Sequence, residues 1–225
     1  MPTIIISLGG SVIIPEKLDV QFIKEFKELI LEYVNKGYKF VIYCGGGKLA
    51  REYQSSAKRL SNITEEDLDW LGIYTTLLNA YFLKSSFGDY ANKEIITNPT
   101  KKIIFSKPIS IAGGWKPGWS TDYDAVLVAK QLNINKIINV SNVNYIYDKD
   151  PKKFKSAKPI KKISWRELIN LFSSEWKPGL NLPFDPIACK EAERSKIMVI
   201  LIGKDINNLR NTIEDKDFNG SIVHL

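Results

Sequence analysis

Histidine is nearly absent from this sequence. The only one, His224, stands next to the last of 225 residues, so nucleophilic triads and histidine general-base chemistry have almost nothing to work with. Cysteine is scarce too: Cys44 and Cys189 sit in apolar context with no CxxC or histidine spacing. They read as buried reduced thiols, and neither a disulfide framework nor a zinc site is expected. Long apolar runs are missing as well. The stretches that end at Gly9 and Gly45 fall far short of the roughly 18 apolar residues a membrane span needs. The opening MPTIIISLGG has no basic n-region and reaches glycine at once, so it reads as a first strand and the expected location is cytoplasmic. Internal repeats and low-complexity tracts are not apparent.

What is present suits one globular α/β unit over residues 1–225. An apolar content of 44% with 11% aromatics is ample for a buried core. The formal charge is +7, and the stretch from Lys149 to Lys162 holds seven lysines against Asp148 and Asp150. No RNA-binding signature or Cys/His finger accompanies that charge, so nucleic acid is not expected as the partner. An anionic small substrate explains a basic protein equally well.

Short β-branched runs alternate with amphipathic segments. Strands are predicted at 4–7, 39–44, 103–105, 109–112, 136–141 and 197–202. Helices are predicted over 18–35, from about Lys48, around Trp70 to Phe82, and from Thr121. In the first helix Phe22, Ile23, Phe26, Ile30 and Val34 share one face at close to a 3.6 period. This alternation implies a mainly parallel sheet covered on both faces, with ligands beyond the carboxyl ends of its strands. The stretch DKDPKKFKSAKP breaks both periods and reads as a surface excursion. It follows a soft boundary near 135–140, between an N-terminal acceptor half (about 1–137) and a C-terminal nucleotide half (about 138–225).

Three glycine clusters follow predicted strands: Gly9-Gly10-Ser11, Gly45-Gly46-Gly47, and Gly113-Gly114 leading to Pro117-Gly118. Glycine lets backbone amides approach a phosphate, and a helix N-terminus adds partial positive charge. Any one cluster alone reads as a tight turn, but three in one short chain point to a polyphosphate cradle. None matches GxxxxGK[ST] or GxGxxG, so a P-loop and a dinucleotide fingerprint are both excluded.

In order and spacing, SLGGSVIIP, CGGGKLAREY, DWLGIYTTLLNA, GGWKPGWSTD, SNVNYIYDKDP and FDPIACKEAERSKI resemble the archaeal-type uridylate kinases of the amino acid kinase superfamily. The likeness runs from residue 4 to the GSIV near the end. It implies a three-layer αβα sandwich, ATP and UMP as substrates, Mg²⁺ carried with ATP, and a homo-oligomer, a hexamer built from dimers. Position by position it implies ATP contacts at Ser7, Gly9, Gly10, Ser11, Gly47, Arg51, Ser141, Asn142, Tyr147 and Asp150. It implies UMP contacts at Gly46, Asp69, Trp115, Lys116, Pro117, Gly118, Trp119, Ser120 and Thr121. Arg51, Asp122 and Lys48 are the catalytic candidates, with Asp122 helping to organise the magnesium shell through water and no full protein ligand set for the metal.

The residues give partial physical support to these roles. Arg51 lies one helical turn beyond a glycine cluster, and a planar guanidinium fork suits phosphate oxygens. The alternative for Arg51 and Lys48 is a solvated helix face. Asp69 suits ribose hydroxyls, against the plain alternative that Asp67 and Asp69 serve a helix start. Asp122 and Asp185 match family aspartates and equally suit helix capping. Trp115 and Trp119 either stack on the base or pack the loop. Two positions depart from the wider pattern: Asn144-Tyr145 replaces the usual Asp-Gly, and Ser7 stands where most of the superfamily has lysine, as is often so in the archaeal uridylate kinases.

Because the acceptor phosphate is already anionic, alignment and charge neutralisation suffice and no general base is required. Two other readings stand beside UMP kinase. One is a kinase of the same fold acting on a small carboxylate, carbamate or isoprenoid phosphate; the other is a non-catalytic binding or storage protein. An aromatic-rich stretch, Trp70, Tyr74, Tyr81, Phe82 and Phe87, is expected to form a subunit interface or else a buried core helix.

Overall fold

The alternation of buried residues along each strand decides the architecture. The computed structural model describes residues 1–151, 153–173 and 184–225; of the lysine-rich stretch, Lys152 lies outside them. In chain order the elements are β1 (Thr3–Leu8), α1 (Gly10–Ile13), α2 (Val20–Asn35), β2 (Lys39–Cys44), α3 (Gly47–Leu60), α4 (Glu65–Phe87), β3 (Ile109–Ala112), α5 (Thr121–Gln131) and β4 (Lys136–Val140). Then come β5 (Ile146–Tyr147), β6 (Pro159–Ile160), β7 (Lys162–Ser164), α6 (Trp165–Ser173), α7 (Pro186–Arg194), β8 (Met198–Ile202), α8 (Ile206–Ile213) and β9 (Gly220–His224).

Seven strands form one sheet in the order β3-β2-β1-β4-β8-β9-β7, and β5 and β6 make a separate two-stranded ribbon. Within the seven-stranded sheet pairing is parallel except between β8 and β9, and the β5–β6 ribbon is antiparallel. Ile4, Ile6 and Leu8 of β1 face the same layer as Phe40, Ile42 and Cys44 of β2, and α1, α2, α4 and α8 cover it. Ile5, Val41, Tyr43 and Ile137 face the opposite layer under α5, α6 and α7. Period-two alternation of apolar residues on both faces requires cover on both sides, which yields three layers. Cys44 and Cys189 are free thiols in these two layers, and burial pushes both thiols well above their usual range.

The strand expected at 103–105 does not form. Isolated bridges from Ala91 and Ile96 occupy the edge of β3, so residues 103–105 have no strand to join. Side chains hold their backbone instead: Asn92 Nδ2 donates to the Ile104 carbonyl at 2.9 Å, and the Ile103 amide donates to Gln131 Oε1 at 3.1 Å. The aromatic stretch on α4 divides between both expectations. Phe87 is buried and Phe82 packs against the core, whereas Tyr74, Leu78 and Tyr81 are 64%, 60% and 56% exposed along one stripe. Among the described residues no helix is long and apolar enough to cross a membrane.

Candidate active site

Four adjacent parallel strands deliver the candidate residues to one edge. Gly9, Gly10 and Ser11 follow β1, Gly45 to Gly47 follow β2, the Gly113–Thr121 loop follows β3, and Ser141 and Asn142 follow β4. Carboxyl ends of parallel strands are where such sheets bind ligands.

The first two glycine clusters pack backbone against backbone. A Cβ on Gly10 would collide with the backbones of Gly45, Gly46 and Gly47, and Gly47 has φ +62°. Both positions therefore require glycine for close approach, and Gly47 requires it for conformation as well. Asn79, buried on α4, donates to the Gly45 carbonyl at 2.8 Å and braces the turn from behind. From the first turns of α3 the exposed Arg51 donates to Ser11 Oγ at 3.2 Å, while Lys48 is exposed on the same helix. Arg51 thus reaches across the paired turns, and the solvated-face alternative describes Lys48 better.

Ser7 and Asp122 meet between β1 and α5. The Ser7 hydroxyl donates to Asp122 Oδ1 at 3.0 Å. Burial, reinforced by the nearby charge of Asp185, pushes the Asp122 carboxyl up to about 7, with the Ser7 bond opposing the shift. The capping alternative holds for Asp185, whose carboxylate accepts from the Ile187 and Ala188 amides at the start of α7. It does not hold for Asp122, because Ser120 is the N-cap of α5 and accepts from the Tyr123 amide at 3.1 Å. The Ser120 hydroxyl proton is still available to donate to a ligand. Two like-charged carboxylates close together at a strand-end cleft fit a hydrated divalent cation.

The two aspartates near the start of α4 part company. Asp67 supports the Thr64 N-cap, its amide donating to Thr64 Oγ1 at 3.1 Å and its carboxylate accepting from that hydroxyl at 2.7 Å. Asp69, further along the helix, accepts from the Gly118 amide at 2.7 Å and ties the loop after β3 to α4. Gly118 sits at φ +82°, the turn that Pro117-Gly118 predicts. In that loop the Trp115 and Trp119 ring centroids are 5.9 Å apart, and Trp119 lies 4.1 Å from Tyr123. Lys116 Nζ stands 4.2 Å from the Trp115 ring centroid and 5.2 Å from that of Trp119. The rings pack on one another, which favours the loop-packing reading of the tryptophans.

The amino acid kinase family matches residues 2–203. The chain belongs to that family. It is 34% identical over 224 residues to the uridylate kinase of Thermococcus kodakarensis, covering 98% of both chains. It is 36% identical over 217 residues to the uridylate kinase of Thermoplasma volcanium, covering 95% of this chain and 94% of that one. The crystal structure of the uridylate kinase from Archaeoglobus fulgidus superposes with a TM-score of 0.82 at 33% identity, over 99% of this chain and 100% of the other.

Some of the resemblance's positions lie apart from this cleft floor. Tyr147 stands on the two-stranded ribbon and Asp150 in the turn after it. The departure at Asn144-Tyr145 is accommodated locally. Asn144 lies against Gly203, where any side chain would collide with it; Tyr145 donates to Asn219 Oδ1 at 3.2 Å and meets Tyr147 edge to face. Four contributors escaped the sequence reading: Thr76, Asn79, Tyr43 and Asp124. Thr76 Oγ1 accepts from the Gly114 amide at 2.7 Å, and the Asp124 carboxylate accepts from the Trp115 amide at 3.0 Å. An aspartate inside the apolar run Asp124-Ala-Val-Leu-Val-Ala was the available signal, since a charge in a core helix face needs a partner.

Proposed function

We propose that this member of the amino acid kinase family is a uridylate kinase, transferring the γ-phosphoryl of ATP to the phosphate of UMP to give UDP and ADP. The observation that carries the reading is the meeting, at one sheet edge, of the paired glycine turns bearing Arg51 and Ser11 with the loop held by Asp69. The names of full-length relatives support the choice of acceptor. The turn after β1 lies between the loops that follow β2 and β3 on one side and Ser141 and Asn142 after β4 on the other. Lys116, Ser120 and Thr121 are the acceptor-side candidates; Ser141, Asn142, Tyr147 and Asp150 are the adenosine-side candidates.

A phosphate monoester has its second pKa near about 6, so the acceptor oxygen is a competent nucleophile at neutral pH. Proton abstraction is unnecessary, and the exposed His224 plays no part. Arg51 supplies a charge-assisted donor to the transferring phosphoryl from a fixed position against Ser11. The amides of the glycine turns approach phosphate oxygens without side-chain obstruction. Asp122, with Ser7 fixing one oxygen, would hold hydrated Mg²⁺ through water. When bound with ATP, that ion neutralises charge on the phosphate oxygens.

The apolar stripe Tyr74, Leu78 and Tyr81 supports a homo-oligomeric enzyme, a hexamer, and the cytoplasm is its proposed location. The deciding experiment is coupled ADP release with UMP, CMP, AMP, carbamate and acetylglutamate as acceptors. UMP should be strongly preferred. Equal turnover of UMP and AMP, or turnover of a carboxylate alone, would overturn the reading.

A further inference from the structure

Asp124 is fully buried on α5, is followed in sequence by the core residues Ala125, Val126 and Val128, and is not among the residues that the resemblance marks. A buried carboxylate is costly to a fold unless its oxygens are used. One oxygen, Oδ2, accepts from the Trp115 amide at 3.0 Å; the other makes no hydrogen bond among the described residues. The hydroxyl of Tyr43, equally buried on β2, is likewise unpartnered among them. Burial raises the Tyr43 phenol, and the carboxyl of the nearby Asp124 adds to the shift. Tyr43 pairs in register with Ala112 and stands just before Cys44 and the Gly45–Gly47 turn. Asp124 therefore lies beneath the root of the acceptor loop, and Tyr43 leads directly into the root of the phosphate turn.

The loop is held at three amides, two of them adjacent, by side chains from two helices. Gly114 donates to Thr76, Trp115 to Asp124, and Gly118 to Asp69. Of these acceptors Asp124 alone is a fully buried carboxyl; burial pushes it up to about 7 while the Trp115 bond opposes the shift, and a hydrogen bond in the interior is costly to lose because its donor is then left unpaired.

We propose that Asp124 is a positioning residue for the acceptor: by clamping the Trp115 amide it fixes the 113–118 loop, and with it Lys116, where the acceptor phosphate binds. The loop's role as an acceptor site rests on the uridylate kinase reading; the clamp itself rests on the geometry alone.

The test uses the full chain with Asp124→Asn, Asp124→Ala, Asp124→Val and Tyr43→Phe. Steady-state constants for UMP and ATP are measured together with amide hydrogen exchange of the 113–119 segment. Asp124→Ala should raise KM for UMP about tenfold or more, as loss of a buried hydrogen bond that leaves its donor unpaired does, with KM for ATP within about twofold of wild type. Exchange should quicken over 113–119 while β1 and β4 keep their protection. Asp124→Asn retains a carbonyl oxygen for the Trp115 amide and should recover most of both effects. Tyr43→Phe should leave the 113–119 exchange close to wild type, since Trp115 is held by Asp124 itself.

If Asp124→Ala does not fold, Asp124→Val removes the acceptor without leaving as large a cavity and is compared with Asp124→Asn in the same way. The proposal falls if the apolar variants leave KM for UMP unchanged, if both KM values rise with faster exchange throughout, or if asparagine behaves like alanine. Should the wild-type protein fail to turn over UMP, the kinase reading falls. The exchange measurement would still decide whether Asp124 clamps the loop.

Discussion

The guanidinium of Arg51 donates to Ser11 Oγ across 3.2 Å, joining the first turns of α3 to the turn that follows β1. Arg51 is exposed and Ser11 half-buried, so the contact holds the guanidinium at the cleft while leaving its other donors free for an incoming phosphate. Arg51→Ala should lower kcat by at least about tenfold, the effect of losing one charge-assisted contact to a transferring phosphoryl group. Lys48→Ala and the double variant, measured alongside, separate the two cations. An unchanged kcat in a stably folded Arg51→Ala would return Arg51 to the role of a surface charge.

Asp69→Asn is expected to act on the acceptor side. It weakens a carboxylate that anchors Gly118 and faces the proposed ribose site, so KM for UMP should rise roughly tenfold while kcat changes little, the pattern of a contact made equally in ground and transition states. Steady-state titration of each substrate checks this. An ATP-side defect with normal UMP dependence would sink the assignment.

Glu32 and Arg210 give a stability prediction far from the cleft. Arg210 makes a paired contact with both carboxylate oxygens of Glu32, Nη1 to Oε1 at 2.7 Å and Nη2 to Oε2 at 2.7 Å, and Lys36 adds another at 2.7 Å. The Arg210 bond first, then that of Lys36, holds the Glu32 carboxyl down at about 2, from an ordinary 4.5. A depressed folded-state value means the native protein releases this proton more readily than the unfolded chain. The contribution is therefore present above pH 4.5 and lost as pH falls toward about 2. In urea titrations across that window, Glu32→Gln should lose stability less steeply than wild type. Identical slopes would show that the ion pair does not bear on folding.

The exposed Tyr74, Leu78 and Tyr81 predict assembly. Sedimentation should give a mass several times that of one chain, and a double change of Leu78→Lys and Tyr81→Glu should shift it toward smaller species. A monomer at all concentrations in the wild-type protein would refute the oligomer.

Strand patterning made the fold legible: Ile4 to Leu8 and Phe40 to Cys44 alternate between two buried layers, which only a sheet covered on both faces satisfies. Residues 103–105 carry the same apolar signature without becoming a strand, because pairing is a property of neighbours and Ala91 and Ile96 hold that edge. The family resemblance pointed to Arg51, Ser11, Asp69 and the loop after β3, which the fold brings to the ends of neighbouring strands. It did not find what the loop is fastened to. Thr76 and Asp124 act through backbone amides distant in sequence, and neither periodicity nor spacing records such a contact. Likewise, Asp122 and Asp185 both looked like caps until helix geometry gave the cap of α5 to Ser120 and left Asp185 capping α7.

The antiparallel seam between β8 and β9 has a consequence for how the chain is assembled. β7 joins the sheet only through β9, pairing Lys162 with Ile222 and Ser164 with His224, although α6, α7, β8 and α8 intervene along the chain. Closing so long a loop is slow, since its ordering entropy is lost before any pairing is gained. During synthesis β1 to β4 can organise while the β7 edge still waits for β9 to emerge from the ribosome. A nascent chain halted before β9 would carry β8 with an open edge, the kind of surface on which chains pair with one another.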